Sequence, residues 1–511
     1  MQHETATPPS PVPALSRDES PPREHVVPDN LSDDLAEAQP AWVMRTGAWL
    51  TPLAFVALWF APLPLPDNAH RLAAVAGAVL VAWVTEVVPL PISALALAPA
   101  FVLTGIMPAK QAFAAFADPI LFLFVGSFFV AKAMSRHGLD RRFAEAIATL
   151  PFVAGRPVRL RLAVLTCAML MSMWMSNTGT TAILLPVLLG MIARSGIGQK
   201  GTFAAGSVLA LAHASTTGGL ATLVGTPPNA ITARILGGAG VHISFLSWMA
   251  IGVPTMIAMT AAVFFVVGRV LPVGTTAMTV ETVRTQRPWS RAELVTALSF
   301  LLAVTGWVLP DMATLFGIDG AERLGKLLEP GAVAIAASSL LFMVPAERGG
   351  ERVLGWQQAV HIEWGLIFLF GGGIALGEAM FQTGLAKALG EGFLALTHVS
   401  GLWSLTAATL VMSVVLTEIC SNTAAANMMV PLVIGAAEQL GVSPIPPALA
   451  VGLGASCGFM LPVATGPNAL AYGTGLCSAR DMIRVGVWLD IVSAVIIFVV
   501  LRLLCPLMGW A

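Results

Sequence analysis

Charge is what this sequence has least of. Only 11% of its 511 residues are Asp, Glu, Lys or Arg, under half the ~25% usual in soluble domains. A conventional solvated globular surface is thereby excluded. The formal net charge is −1, so no basic field is present to attract nucleic acid. Cysteine is scarce too. Cys167, Cys420, Cys457, Cys477 and Cys505 all lie in apolar stretches, without the spacing of a disulfide framework or a metal site. They read as small core residues. No HExxH, GxSxG or Cys–His cluster falls in a long apolar stretch, which argues against a membrane-embedded enzyme. No apolar core follows Met1 closely enough for a cleavable signal peptide, so the first membrane helix is expected to serve as the targeting signal.

Apolar length is what the sequence does have. Hydrophobic residues make up 56% of it, and the mean hydropathy is +0.81. Stretches near or above ~18 residues recur, each long enough to cross a ~30 Å hydrocarbon core as a helix. Spans are expected at 45–61, 71–88, 91–106, 119–136, 203–223, 245–271, 293–309, 330–345, 362–386, 446–463 and 482–507. Two further apolar blocks, 162–194 and 402–439, carry polar residues and a Pro in the middle. Each is long enough to enter and return, so each is read as a re-entrant hairpin. The fold class expected is an all-α polytopic membrane protein with about eleven spans and two hairpins. Residues 1–40, rich in Pro, Asp and Glu, cannot bury apolar surface and are expected to form a disordered cytoplasmic tail.

Lys and Arg set the orientation. With the N-terminus inside, sixteen basic residues fall in inside loops, among them Arg136, Arg161, Arg269 and Arg480, and six fall outside: Arg71, Lys110, Arg234, Arg323, Lys326 and Lys387. This hand places the first hairpin inside and the second outside. A multi-pass protein of the plasma membrane, the inner membrane of a bacterium, is expected.

The chain also repeats itself. FLFVGSFFVAKAMSRHGL at 122–139 aligns with FLFGGGIALGEAMFQTGL at 368–385, an offset of 246. SNTGTTAILLP at 176–186 aligns with SNTAAANMMVP at 421–431, offset 245, and GTPPNA at 225–230 with ATGPNA at 464–469, offset 239. An odd number of crossings separates the copies, so they are inverted. Inverted repeats with interrupted helices are the architecture of secondary transporters, with the site at the repeat interface.

The repeated blocks hold the chemistry. Ser, Asn and Thr are poor inside helices and strong at their N-caps. Ser176–Thr178 and Ser421–Thr423 each precede an apolar helical run ending near Pro186 or Pro431. They are expected at hairpin tips, where free N–H groups and partial positive charge suit a carboxylate. The Pro- and Gly-rich motifs at 225–229 and 464–468 stop a helix and free carbonyls, which are hard ligands for a cation. No Arg or Lys falls in these motifs, so a dianion there would need bound cations. Glu86, Lys132, Glu378 and Glu418 lie in apolar stretches, where a charge costs ~2.5–3.5 kcal/mol or more. Glu418 is expected to pair with hairpin groups, and His213 to pack between helices.

Paired SNT motifs, each followed by a G/A-T-x-P-N motif, resemble the divalent anion–sodium symporter family, which includes sodium-dependent dicarboxylate and citrate carriers. The resemblance covers nearly all of 45–511. It implies an elevator-type secondary transporter, a homodimer of protomers with a scaffold and a mobile transport domain. Its boundaries here would be 41–118 scaffold, 119–271 transport domain with the inner hairpin, 272–361 cytoplasmic loop and scaffold, and 362–511 transport domain with the outer hairpin. It implies substrate contacts at Ser176, Asn177, Thr178, Ser421, Asn422, Thr423 and Thr465. It implies one sodium (Na+) site at Ser172, Ser176, Asn177 and Gly225, and another at Thr417, Cys420, Asn422 and Ala464. Ser172 and Thr417 stand about one turn before their tips. Gly466 replaces the Pro of many relatives, so the second loop is expected to be looser. The substrate implied is a small C4-type dicarboxylate such as succinate, malate or fumarate. A sodium-independent dicarboxylate exchanger and a related carrier for citrate, tartrate or sulfate are the alternatives.

Overall fold

The computed structural model describes residues 41–148, 156–194, 201–273, 288–347 and 350–511. The tail expected at 1–40 lies outside the described residues. Among those described, the regular secondary structure is helical, apart from one isolated bridge between Pro345 and Arg352.

The inverted repeat reappears element by element. Pro119–His137 corresponds to Trp364–Thr383, and each stops at a glycine in the left-handed region, Gly138 (φ 69°) and Gly384 (φ 79°). Only glycine takes that conformation without cost, so both copies turn at one place. An amphipathic helix follows in each, Leu139–Ala148 and Leu385–Thr397. Next come the hairpins: Pro157–Ser172 with Asn177–Arg194, and Leu402–Thr417 with Asn422–Leu440. Their second arms continue past Pro186 and Pro431 rather than ending there. A proline in a membrane helix is tolerated when its surroundings re-satisfy the freed carbonyl.

Among the described residues, seven helices are long and apolar enough to cross a membrane, and two bent pairs bring the number to as many as nine if each pair is one span. The hydropathy spans at 91–106, 203–223 and 446–463 are interrupted. The first is two short helices, Leu90–Leu95 and Leu97–Leu103. The second is the 17-residue helix Thr202–Gly218, and the third is helical only over Ile445–Gly454. Hydropathy counts apolar residues whether or not their backbone is helical, so broken helices read as whole ones. After each of the last two the chain unwinds, and helix resumes at Pro227–Gly238 and Gly466–Gly473.

Arg161 is not a loop residue. It is buried in the first hairpin arm, where its guanidinium donates to the Leu271 carbonyl at 3.1 Å and the Phe203 carbonyl at 3.4 Å. Those carbonyls belong to the ends of neighbouring spans, so Arg161 ties the hairpin base to them. Elsewhere Pro119–His137 packs along Pro330–Met343, and Trp364–Thr383 along Leu90–Leu95. The first hairpin arm packs on Thr202–Gly218, and the equivalent arm on Ile445–Gly454.

Candidate functional site

Both hairpin tips and both unwound segments line one cavity of about 290 Å³. Four helices begin at it: Asn177–Arg194, Asn422–Leu440, Pro227–Gly238 and Gly466–Gly473. Ser176 and Ser421 open the hairpin helices, their carbonyls accepting from Thr180 N and Ala425 N at 2.9 Å each. The Ser176 hydroxyl also accepts from Gly179 N at 3.1 Å.

Behind each tip sits a matching polar contact. Ser172 Oγ lies 2.7 Å from Asn177 Oδ1, and Thr417 Oγ1 lies 2.7 Å from Asn422 Oδ1. Ser172 and Thr417 are fully buried. A carboxamide presents oxygen at one end and NH₂ at the other. The end of Asn177 that meets Ser172 also stands 3.1 Å from the Ser215 carbonyl and 3.3 Å from the Gly225 carbonyl. With nitrogen there, its two N–H groups are shared among the three oxygens. With oxygen there, four oxygens converge on one hydroxyl proton, a donor set that a hard cation satisfies. In the second repeat the single proton of Thr417 is offered to both Asn422 and the Ala455 carbonyl, 2.5 Å away. Close approach is essential here, because a Cβ on Gly219 would collide with the Asn177 carboxamide.

The unwound segments are stapled alike. Asn229 Nδ2 donates to the Gly219 and Thr222 carbonyls at 2.8 and 2.7 Å. Asn468 Nδ2 donates to Gly458 and Leu461 at 3.2 and 2.9 Å. Irregular backbone inside a membrane needs such internal partners.

Of the residues singled out in the sequence, Ser176, Asn177, Thr178, Gly225, Cys420, Ser421, Asn422, Thr423 and Ala464 line the cavity. Ser172 and Thr417 act from behind. Thr465 does not line it. Its hydroxyl caps the helix Gly466–Gly473, accepting from Asn468 N at 3.3 Å. The loop at Gly466 is not slack, because Thr178 fills the space a side chain there would take. Glu418 also lines the cavity and accepts from Met460 N at 2.8 Å and Leu461 N at 3.1 Å, amides of the second unwound segment rather than of the hairpin. The His213 ring packs edge-on against Phe459, with centroids 5.3 Å apart.

Glu86, Glu363 and Leu366 also line the cavity, without having been identified as site residues. Glu86 carried a signal, since it is a charge at the end of an apolar stretch. Its backbone is left-handed (φ 48°), a rare conformation that gathers at functional sites. Glu363 carried none, because it stands in no repeated motif. The lining holds three glutamates and no Lys or Arg.

Residues 80–452 match the family described as "Citrate transporter". The sodium-dependent dicarboxylate transporter SdcS of Staphylococcus aureus strain USA300 is 31% identical over 482 residues, covering 90% of this chain and 91% of that relative. The chain belongs to the divalent anion–sodium symporter family. It is a multi-pass membrane transporter rather than an enzyme. The SdcS of strain MRSA252 matches equally, at 31% identity over the same shares. Among solved structures, the Alcanivorax borkumensis YdaH transporter is similar at a TM-score of 0.47 and 16% identity, covering 80% of this chain and 88% of that one.

Proposed function

We propose that this transporter moves a small dicarboxylate together with sodium by alternating access. The observation that carries the reading is the paired tip: two SNT N-termini face one cavity, and each is backed by a hydroxyl–carboxamide–carbonyl cluster. The N-termini suit the two carboxylates, at ~0.3–2 kcal/mol per helix end. The oxygen clusters suit sodium, held for the first ion by Ser172, Ser176, Asn177 and Gly225 with the Ser215 carbonyl. The second ion would take Thr417, Cys420, Asn422 and Ala464 with the Ala455 carbonyl.

The three cavity glutamates sharpen this. A dianion would enter a negative field unless cations bound first, so sodium precedes the substrate. The name of SdcS supports both partners, and the two facing tips suit an anion with a carboxylate at each end. With the N-terminus cytoplasmic, the cavity mouth near Glu86 and Glu363 faces the cytoplasm.

The moving body proposed comprises the hairpins, the unwound helices and the spans Phe245–Val270 and Ala479–Leu507. Pro119–His137 and Trp364–Thr383, which the boundaries above give to the transport domain, are placed here with the scaffold, because they pack along Pro330–Met343 and Leu90–Leu95; that scaffold also makes the homodimer contact. The motion is of elevator type.

Uptake of labelled succinate into proteoliposomes under a sodium gradient, with choline as control and citrate, tartrate and sulfate as competitors, tests this. Sodium-independent uptake that requires an internal dicarboxylate would replace symport by exchange. Preferential inhibition by citrate or sulfate would replace the substrate.

A further inference from the structure

A second polar cluster lies away from the cavity, at the far ends of helices that begin there. Pro227 lines the cavity, and Arg234 follows it by seven residues on the same helix, about 10 Å along at 1.5 Å per residue. Leu366 lines the cavity, and Glu378 follows it by twelve residues, about 18 Å along. There Arg234 Nε donates to Asp118 Oδ2 at 2.5 Å, and Nη2 donates to Glu378 Oε1 at 3.1 Å. Asp118 is buried and caps the helix Pro119–His137. The triad therefore links a helix of the substrate site to two helices that pack on the other group of spans.

The inverted repeat would place an equivalent cluster at the opposite face. The offsets of the flanking blocks, 246 for Asp118 and Glu378 and 239 for Arg234, carry them to Trp364, Gly473 and Lys132. Gly473 has no side chain, so the equivalent residues cannot rebuild the contacts that Arg234 makes.

We infer that Arg234, Asp118 and Glu378 form a one-sided latch, which ties the helix Pro227–Gly238 to Pro119–His137 and Trp364–Thr383 at the face opposite the cavity mouth and biases the transporter toward the state seen here. The inference rests on the alternating-access reading. For the cavity to open at the other face, the helix that carries Arg234 must move away from Asp118.

The full-length protein in proteoliposomes tests it, with a reporter cysteine at the exposed mouth residue Val463 (Val463→Cys) labelled by a membrane-impermeant maleimide. Protein without the reporter corrects for the native cysteines. Arg234→Gln, Asp118→Asn and Glu378→Gln should each slow labelling by roughly three- to tenfold. The exchange Arg234→Glu with Glu378→Arg should restore it. Unchanged labelling in the three single variants overturns the latch, as does a slowing that the exchange leaves uncorrected in protein that melts normally. Labelling needs no substrate turnover. A labelling shift without dicarboxylate uptake would therefore sink the substrate assignment and leave the latch standing, and intact uptake with unchanged labelling would do the reverse.

Discussion

Thr178 of the first hairpin tip packs directly on Gly466, the first residue of the half-helix in the second repeat. A Cβ built on Gly466 would run into the Thr178 hydroxyl. The two repeats thus touch across the site, and a single absent side chain permits it. Gly466 opens its helix, a position where the backbone accepts Ala or Pro readily. Gly466→Ala should therefore fold but push Thr178 into the cavity, weakening apparent substrate affinity about tenfold. Thr178→Ala should be milder alone and should recover part of the loss when combined. A double-mutant cycle on uptake measures this, and additive effects would mean that the contact is unimportant.

Asn177 and Asn422 can each offer oxygen to a cation and NH₂ to a carboxylate. Replacing either with Ala removes both at once. A lost charge-assisted bond costs roughly 1.5–3 kcal/mol, or about ten- to a hundredfold in affinity. The apparent affinities for sodium and for succinate should fall together, because the two bindings are linked. Leu185→Ala, buried on the same hairpin helix, should lower stability and leave the coupling alone. Unaltered sodium and substrate dependence in both Asn variants would return the SNT triplets to a packing role.

Glu418 holds two backbone amides of the second unwound segment. Gln offers one acceptor oxygen where the carboxylate offers two. Glu418→Gln should leave Met460 N or Leu461 N unpaired, at a cost of about 1–3 kcal/mol. A lower melting temperature of the purified protein is expected. An unchanged melt would show that this segment is held by Asn468 alone.

Asp140, at the start of the amphipathic helix Leu139–Ala148, is buried, and burial pushes its carboxyl from 3.8 up to about 6. A raised carboxyl pKa favours the folded state fully below the unfolded value, and that gain is lost as pH rises through about 6. The swing is on the order of 3 kcal/mol. Melting of the detergent-solubilised protein should fall between pH 4 and pH 7, and Asp140→Asn should flatten the fall. Equal pH slopes in the two proteins would remove Asp140 as a contributor.

The sequence alone determined the membrane class, the inverted repeat and the two tips. Hydropathy, capping preference and Pro–Gly breaks are local properties, and duplication makes each weak local signal count twice. Ser172 and Thr417 were implied by the family resemblance, and the structure places them behind the tips. Only the tertiary structure brought the Ser215 carbonyl to the Asn177 carboxamide and the Ala455 carbonyl to the Thr417 hydroxyl, left Thr465 out of the cavity lining, and set Glu86 and Glu363 in it. The Arg234 triad joins residues 116 and 144 positions apart that share no motif. Such meetings depend on how helices pack against one another, and no pattern along the chain encodes the position of one helix relative to a distant other.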